Sequence, residues 1–115
     1  MPYPLSGPLR GEIYWVDWNP ARGSEQAGRR PAVVISLDSF NRSMPVVVVA
    51  ALTTKIKSLR IVVDLPAGDP LQKQGQILPF QVATIDKTRL DGYMGVLSAA
   101  QVKDLEDKLR LCWGL

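Results

Sequence analysis

The sequence predicts a mainly β protein, a small antiparallel barrel of five to seven strands with a C-terminal α-helix. Short stretches of β-branched and aromatic residues recur at intervals of roughly 8–12 residues, separated by turns that contain Gly or Pro, which is typical of small barrels. Only the last segment of the chain repeats its apolar residues at helical spacing. The length of 115 residues, with 46% apolar and 22% charged side chains, fits one globular domain.

The first half of the chain predicts an arm and two strands. Residues 1–10 contain three prolines and no periodic pattern, so they are expected to form a mobile N-terminal arm, with residues 11–115 as a single barrel domain. Residues 11–18, GEIYWVDW, are aromatic and β-branched and predict a strand. The segment 19–30 contains Pro and two Gly and predicts a loop. Residues 31–36, PAVVIS, predict a second strand, and their continuous apolar run indicates burial on both faces.

The middle of the chain contains its most strand-like stretch. After a polar connection at 37–44, residues 46–52 are β-branched or apolar throughout and predict a buried strand. A basic connection, KIKSLR, leads to a strand at 61–65. The segment QGQILPFQVATI predicts one or two strands, kinked or interrupted at Pro79. A helical turn at 87–90 and a strand at 93–97 complete the predicted sheet.

The C-terminal segment predicts a helix that covers the sheet. Ser98 and Gln101 have the spacing of a capping box, with the serine as N-cap and the glutamine at the third helical position. Gly114 ends the helix. One apolar stripe follows at spacings of three and four: Val102, Leu105, Leu109 and Cys112.

The composition excludes several classes of catalyst. With no histidine, the chain cannot use a Ser–His–Asp triad, a histidine-based ribonuclease mechanism or a histidine-ligated zinc. Its one cysteine, Cys112, excludes an internal disulfide and a cysteine metal cluster, and the acidic residues are scattered singly, so no metal or cofactor is expected. The longest apolar run has seven residues, too short for a membrane span, and the N-terminus lacks a signal peptide; a cytoplasmic protein is expected.

The basic residues are concentrated in the first half of the chain. The net charge is +3, but residues 1–60 carry eight basic and four acidic side chains, against six and seven in residues 61–115. Arg22, Arg29 and Arg30 share one short segment with Glu25. Such a cluster suits a polyanion, and a solvated basic loop explains it equally well on composition alone.

Three blocks of sequence resemble the MazF/PemK family of toxin endoribonucleases. The first is the strand GEIYWVDW followed by GSEQAGRRP at 23–31. The second is AALTTK at 50–55, and the third is QVATIDKTRL at 81–90. They occur in the family's order and together cover most of residues 11–112.

The resemblance implies a fold, an activity and partners. Members of that family are SH3-like barrels that form homodimers and cleave single-stranded RNA without a metal ion. A cognate antitoxin neutralises them with a disordered acidic tail. A toxin of a type II toxin–antitoxin system, acting in the cytoplasm on mRNA, is therefore expected, with no cofactor and no membrane.

The resemblance also implies site residues. The family's catalytic arginine corresponds to Arg30, its catalytic threonine to Thr53, and a loop glutamate of the site to Glu25. Without the resemblance, Arg30 and Glu25 would be interpreted as an exposed ion pair and Thr53 as a β-branched strand residue. The substrate-binding residues are expected in the two adjoining loops and in the third block: Arg22, Ser24, Gln26, Arg29, Thr54, Lys55 and Gln81.

RNA cleavage without histidine is chemically reasonable. The 2′-hydroxyl can attack the adjacent phosphorus and leave a 2′,3′-cyclic phosphate and a 5′-hydroxyl, which needs a proton acceptor, a proton donor and stabilisation of the developing negative charge. A guanidinium binds two phosphate oxygens at once and keeps its charge, which suits Arg30. Glu25 is a candidate base, and Arg30 is an alternative proton donor; the sequence leaves these roles open.

Two other functions compete with RNA cleavage. A toxin of the same fold could poison a protein such as DNA gyrase, since fold alone does not decide function. A non-catalytic barrel could bind RNA and leave it intact, with an affinity that falls steeply with salt. The net charge of only +3 argues against the second of these.

Overall fold

The computed structural model describes residues 7–18, 28–68 and 71–115. Along these residues the elements are, in order, β1 Glu12–Asp17, β2 Arg29–Val34, α1 Asp38–Ser43, β3 Val46–Thr53, β4 Val63–Leu65, β5 Gly75–Asp86, a 3₁₀ turn at Lys87–Arg89, β6 Leu90–Val96 and α2 Ala99–Trp113.

The six strands form one curled, half-barrel sheet. Its strand order is β4-β5-β3-β2-β1-β6, and the neighbouring strands in it are antiparallel. The helix α2 packs against β4 and β5. The prediction of a mainly β, small antiparallel barrel with a C-terminal helix is confirmed.

A short helix occupies part of the predicted polar connection at 37–44. Residues Asp38–Ser43 form α1, which the sequence pattern did not predict. Its buried residue is Asn41, whose side-chain amide donates to the carbonyl oxygens of Pro8 at 2.9 Å and Ser36 at 3.1 Å. The helix is therefore fixed by polar tertiary contacts rather than by an apolar stripe, so helical periodicity is not visible in the sequence.

Pro79 does not interrupt the strand in which it lies. Residues Gly75–Asp86 form one strand, and its pairing with β3 shifts between Ala50↔Val82 and Ala51↔Leu78. Residues 79–81 therefore bulge without a partner residue on β3. Proline is tolerated at a bulge because no ladder hydrogen bond from its nitrogen is needed there.

Two apolar clusters use alternate residues of the same strands. The first cluster faces α2 and includes Ile13, Val33, Ala50, Leu52, Ile77 and Leu105. The second cluster consists of Val16, Ala32, Val34, Val47, Val49 and Ile85. Because both faces of β2 and β3 are apolar, these strands have the continuous apolar sequences seen in residues 32–34 and 46–52.

The ends of α2 are fixed as predicted. The Ser98 hydroxyl accepts from the Gln101 backbone N–H at 3.2 Å, and the Gln101 side chain accepts from the Ser98 N–H at 2.8 Å. Gly114 adopts a left-handed conformation with φ of 72°, which ends the helix. Within the described ranges, neither helix is long and apolar enough to cross a membrane.

The described part of the predicted arm, residues 7–10, is bonded to the rest of the domain. The Arg10 backbone N–H donates to Asp38 Oδ1 at 2.8 Å, and its guanidinium binds the Ile35 carbonyl oxygen at 2.8 Å and Glu106 at 3.1 Å. Residues 1–6 lie outside the described residues, so the domain boundary after residue 10 stays a prediction.

Candidate active site

Four polar residues from four adjacent strands form a row on one face of the sheet. The Cα partners of Gln76 are Thr53 on β3 and Asp64 on β4. On the other side of β3, the pairs Ala32↔Ala51 and Val33↔Ala50 define the register with β2. Arg30 and Thr53 each lie two residues beyond the pair Ala32↔Ala51, and because side chains alternate along a strand, both are directed to the face of that pair. The fold therefore carries two of the three predicted catalytic residues on adjacent strands and directs them to the same face.

Arg30 has an exposed side chain on a firmly held backbone. It lies next to the first residue of β2, opposite Val16 of β1. Its carbonyl oxygen accepts from the Trp18 indole N–H at 3.3 Å. The Trp18 backbone N–H donates to Gly28 at 2.9 Å and joins the two sides of the loop at its base. The guanidinium thus extends from a fixed position beside the loop.

Thr53 is the last residue of β3 and is half-buried. Its hydroxyl oxygen accepts from the Lys55 backbone N–H at 3.0 Å, a local turn that orients the side chain. A hydroxyl can accept through a lone pair and donate its proton at the same time, so Thr53 can also donate to an incoming oxygen. The geometry suits a donor to phosphate.

Arg29 is directed away from Arg30, since adjacent residues of a strand face opposite sides. Its guanidinium stacks on the Trp15 ring at 4.5 Å from the ring centroid. It also donates to Asp91 twice, to the carboxylate at 2.8 Å and to the carbonyl oxygen at 2.9 Å. Arg29 therefore links β2 to β6 across β1, and its predicted role in substrate binding stays a prediction.

The remaining predicted substrate residues fall into three groups. Thr54 and Lys55 are exposed at the start of the loop after β3. Gln81 is half-buried in the bulge of β5, close to where strand pairing is broken. The residues outside the described part of the chain are the candidate catalytic Glu25 and the candidate substrate contacts Arg22, Ser24 and Gln26.

A mostly apolar groove of about 370 Å³ lies beside the Arg29–Trp15 stack. Trp15, Pro31, Leu52 and Met94 form its apolar walls, and Thr54 lies at its edge. Trp15 is half-buried and lines this groove. The groove lies next to the row of polar residues but on the side of the sheet from which Arg29 projects.

Gln76 is a buried polar residue that the sequence motifs do not predict as functional. It is 2% exposed, yet its side-chain amide is polar and makes three hydrogen bonds. The available signal was a glutamine within the otherwise apolar stretch GQILPF, since a buried polar side chain needs specific partners.

Asp86 has a structural role in a turn. Its carboxylate accepts from the Thr88 backbone N–H at 2.9 Å and from the Thr88 hydroxyl at 2.8 Å. These bonds hold the pKa of the Asp86 carboxyl below its usual value. Within the part of the chain that the structure describes, no group of three or more acidic or cysteine side chains is arranged to bind a metal ion.

Comparison with known families matches nearly the whole chain. A family profile described as "PemK-like, MazF-like toxin of type II toxin-antitoxin system" matches residues 9–112. The chain belongs to the PemK/MazF toxin family. An Endoribonuclease MazF of Staphylococcus saprophyticus is 36% identical over 109 residues, which cover 92% of this chain and 91% of that protein. The prediction of the MazF/PemK family, and of an endoribonuclease of that family, is confirmed at this level.

Solved MazF structures have the same fold. MazF from Deinococcus radiodurans has a TM-score of 0.82 at 27% identity, covering 95% of this chain and 98% of that one. A mycobacterial endoribonuclease in complex with its cognate antitoxin has a TM-score of 0.77 at 28% identity, covering 95% of both chains. These solved structures therefore match the fold of this chain over nearly its whole length.

Proposed function

We propose that this chain is the toxin of a type II toxin–antitoxin pair and cleaves single-stranded RNA, with mRNA in the cytoplasm as its target. The observation that supports this proposal is the pairing of β2 with β3, in which Arg30 and Thr53 each lie two residues beyond the pair Ala32↔Ala51, at neighbouring strand ends and on the same face. An exposed guanidinium beside an oriented hydroxyl is a suitable pair of donors for a phosphodiester.

The proposed reaction uses the RNA's own 2′-hydroxyl as the nucleophile. A bond forms between the 2′-oxygen and phosphorus, and the bond between phosphorus and the 5′-oxygen breaks. The 2′-hydroxyl loses its proton to Glu25, and the leaving 5′-oxygen gains a proton from Arg30 or from water. The products are a 2′,3′-cyclic phosphate and a 5′-hydroxyl, and no step uses a metal ion.

Each of the three residues has a separate task in this reaction. Arg30 binds the two non-bridging oxygens and stabilises the charge that develops on them, a contribution of about 3–4 kcal/mol for a well-placed donor. Thr53 donates its hydroxyl proton to one of these oxygens. Glu25 accepts the proton of the 2′-hydroxyl; a carboxylate with an ordinary pKa of about 4.3 is a weak base at neutral pH, so this role requires a raised pKa in the complex.

Substrate binding is assigned to the two loops beside these residues. Arg22, Ser24 and Gln26 belong to the loop before β2, and Thr54 and Lys55 to the loop after β3. Arg29 and Gln81 complete the set of proposed substrate contacts. Loop residues on a rigid sheet are suited to base selection because they can differ in length and side chain without disturbing the core.

The proposed partners are a second copy of this chain and an acidic antitoxin. A disordered acidic tail would compete with RNA for the same arginines, since both are polyanions. The mycobacterial endoribonuclease of similar fold was solved with its cognate antitoxin, which supports such a partner. Light scattering of the purified chain should give twice the monomer mass if the homodimer exists.

Incubation with a long, mixed-sequence single-stranded RNA tests the proposal. We expect specific cleavage at full rate in excess EDTA, with cyclic phosphate and 5′-hydroxyl ends identified by end-specific ligation and sequencing. Protein carrying Arg30→Ala, prepared in parallel, controls for contaminating ribonucleases. Intact RNA bound by the protein would favour the non-catalytic barrel, and intact, unbound RNA would favour a toxin with a protein target.

A further inference from the structure

Gln76 holds the loop between β3 and β4, residues 54–62, with a single side-chain amide. Its Oε1 accepts from the Lys57 backbone N–H at 2.9 Å, and its Nε2 donates to the Lys57 carbonyl oxygen at 3.0 Å. One amide therefore pairs with both backbone groups of one residue, as a neighbouring strand would. Nε2 also donates to Asp64 Oδ1 at 2.9 Å, so both amide protons are used.

The position of Gln76 in the sheet connects this loop with the proposed catalytic residues. Gln76 lies between Thr53 and Asp64 in the row of polar residues, and it is almost fully buried. A buried amide with three hydrogen bonds has a well-defined orientation, because losing any of them leaves a polar group without a partner. The backbone of Lys57 is therefore held at a fixed distance from Thr53.

The β3–β4 loop has the surface of a nucleic-acid contact. It exposes three basic side chains, Lys55, Lys57 and Arg60, together with Ile56 and Leu59, which are 52% and 48% exposed. Between this loop and β4 lies an open groove of about 440 Å³, with Asp64 and Gln76 among its lining residues. Basic groups bind phosphates, whereas apolar side chains and polar acceptors contact bases, so the combination favours selection among bases.

We propose that Gln76 is a positioning residue that sets the β3–β4 loop beside Thr53 and thereby determines which base is accepted next to the cleaved bond. This inference rests on the proposed RNA cleavage and goes beyond it by assigning base selection to a buried side chain that does not touch RNA. The loop is held at Thr53 through the Lys55 N–H and at Gln76 through Lys57. Removal of the Gln76 side-chain bonds to Lys57 should let the loop move, whereas the proposed donors Arg30 and Thr53 remain in place.

The test compares Gln76→Leu with the parent on matched RNA oligonucleotides. One carries the preferred cleavage site, and the others differ by one base beside the cut bond. We expect the ratio of kcat/KM between preferred and altered sites to fall about tenfold, since small displacements of positioning groups have large effects on rate. On the preferred site, KM should rise more than kcat falls. Trypsin should cut more rapidly after Lys55, Lys57 or Arg60.

The matched control is Ile77→Val on the same strand. Ile77 is also buried but belongs to the first cluster on the other face, so this change should lower stability without altering the ratio.

A second variant, Gln76→Glu, keeps the acceptor for the Lys57 N–H but loses the donor to Lys57 and Asp64 when ionised. Its ratio should recover towards the parent value as the pH is lowered and the introduced carboxyl is protonated, while the parent ratio stays constant.

The outcomes separate this inference from the proposed function. A parent protein that leaves all RNAs intact would overturn both. Suppose that the parent cleaves RNA and that circular dichroism shows Gln76→Leu to be folded. If this variant then has the same ratio of kcat/KM as the parent, the proposed role of Gln76 is wrong, and the proposed function stands. If Gln76→Leu does not fold, Gln76→Glu decides: a ratio equal to that of the parent at every pH overturns the inference, and a pH-dependent ratio supports it.

Discussion

Arg29 and Asp91 are joined across an intervening strand. The guanidinium of Arg29, on β2, passes over Trp15 of β1 and binds both the carboxylate and the carbonyl oxygen of Asp91 on β6. Gly92, at φ of 108°, follows directly, and a Cβ there would lie 3.4 Å from the guanidinium. Arg29, which lies next to Arg30 in the sequence, is therefore already paired with a carboxylate of the same chain.

Asp91→Asn should release part of this attraction and strengthen RNA binding. The exposed ion pair contributes only about 0–1 kcal/mol to folding, so the melting temperature should change little. With the carboxylate removed, Arg29 can contact a phosphate, and the slope of log affinity against log salt should steepen by about 0.7. Binding of a non-cleavable 2′-O-methyl RNA at several salt concentrations measures this slope. An unchanged slope would show that Arg29 does not reach the backbone of the bound RNA.

Arg30→Ala should reduce RNA cleavage by about 10²–10³ with little effect on folding, because it removes a donor to the transition state from an exposed position. Arg30→Lys keeps the charge but loses the planar pair of donors, so it should recover only part of the rate. Single-turnover cleavage of a defined RNA measures both. Arg42→Ala, which removes an exposed arginine from α1, is the matched control and should cleave at the parent rate.

Thr53→Val and Thr53→Ser separate the hydroxyl from the methyl group of this side chain. Valine has the same shape without the donor, and we expect a fall in kcat of about 10²-fold or more. Serine keeps the hydroxyl and the bond from the Lys55 N–H, and should stay within a few-fold of the parent. Equal rates for the valine variant and the parent would remove Thr53 from the mechanism.

Tyr14 should make folding sensitive to alkaline pH. Burial, together with the Glu12 carboxylate that accepts from its hydroxyl at 3.1 Å, raises the pKa of Tyr14 to about 12. An unfolded tyrosine has a pKa of about 10, so the unfolded chain loses its proton first and stability falls as the pH rises from about 10 to 12. Urea unfolding midpoints across this range should fall less steeply for Tyr14→Phe. Parallel curves for the two proteins would contradict this contribution.

The strands and the last helix could be predicted because their signals are local. β-branched runs predicted β2 and β3, and the capping residues Ser98 and Gln101 predicted the start of α2. The helix α1 could not be predicted, because it has no periodic apolar pattern. Its buried Asn41 is held instead by hydrogen bonds to Pro8 and Ser36, and the sequence pattern does not show such contacts. The continuity of β5 through Pro79 likewise depends on a bulge defined only by its pairing with β3.

The site could be predicted only where sequence blocks resemble a known family. Those blocks nominated Arg30 and Thr53, which the structure has on adjacent strands, each two residues beyond the pair Ala32↔Ala51. They gave no sign that Arg29 binds Asp91, because that pairing spans 62 positions of sequence. They also did not identify Gln76, whose role depends on the backbone of Lys57 rather than on a motif. Glu25 lies outside the described residues, and its role as a base stays a prediction.

The length of β5 has a consequence for cooperativity. The strand Gly75–Asp86 contributes Ile77 to the first apolar cluster and Ile85 to the second, so both clusters include residues of one continuous strand. Neither cluster can separate from the sheet without exposing part of the other. The two halves of the core should therefore melt together, and a partly folded form with one intact cluster should not accumulate at equilibrium.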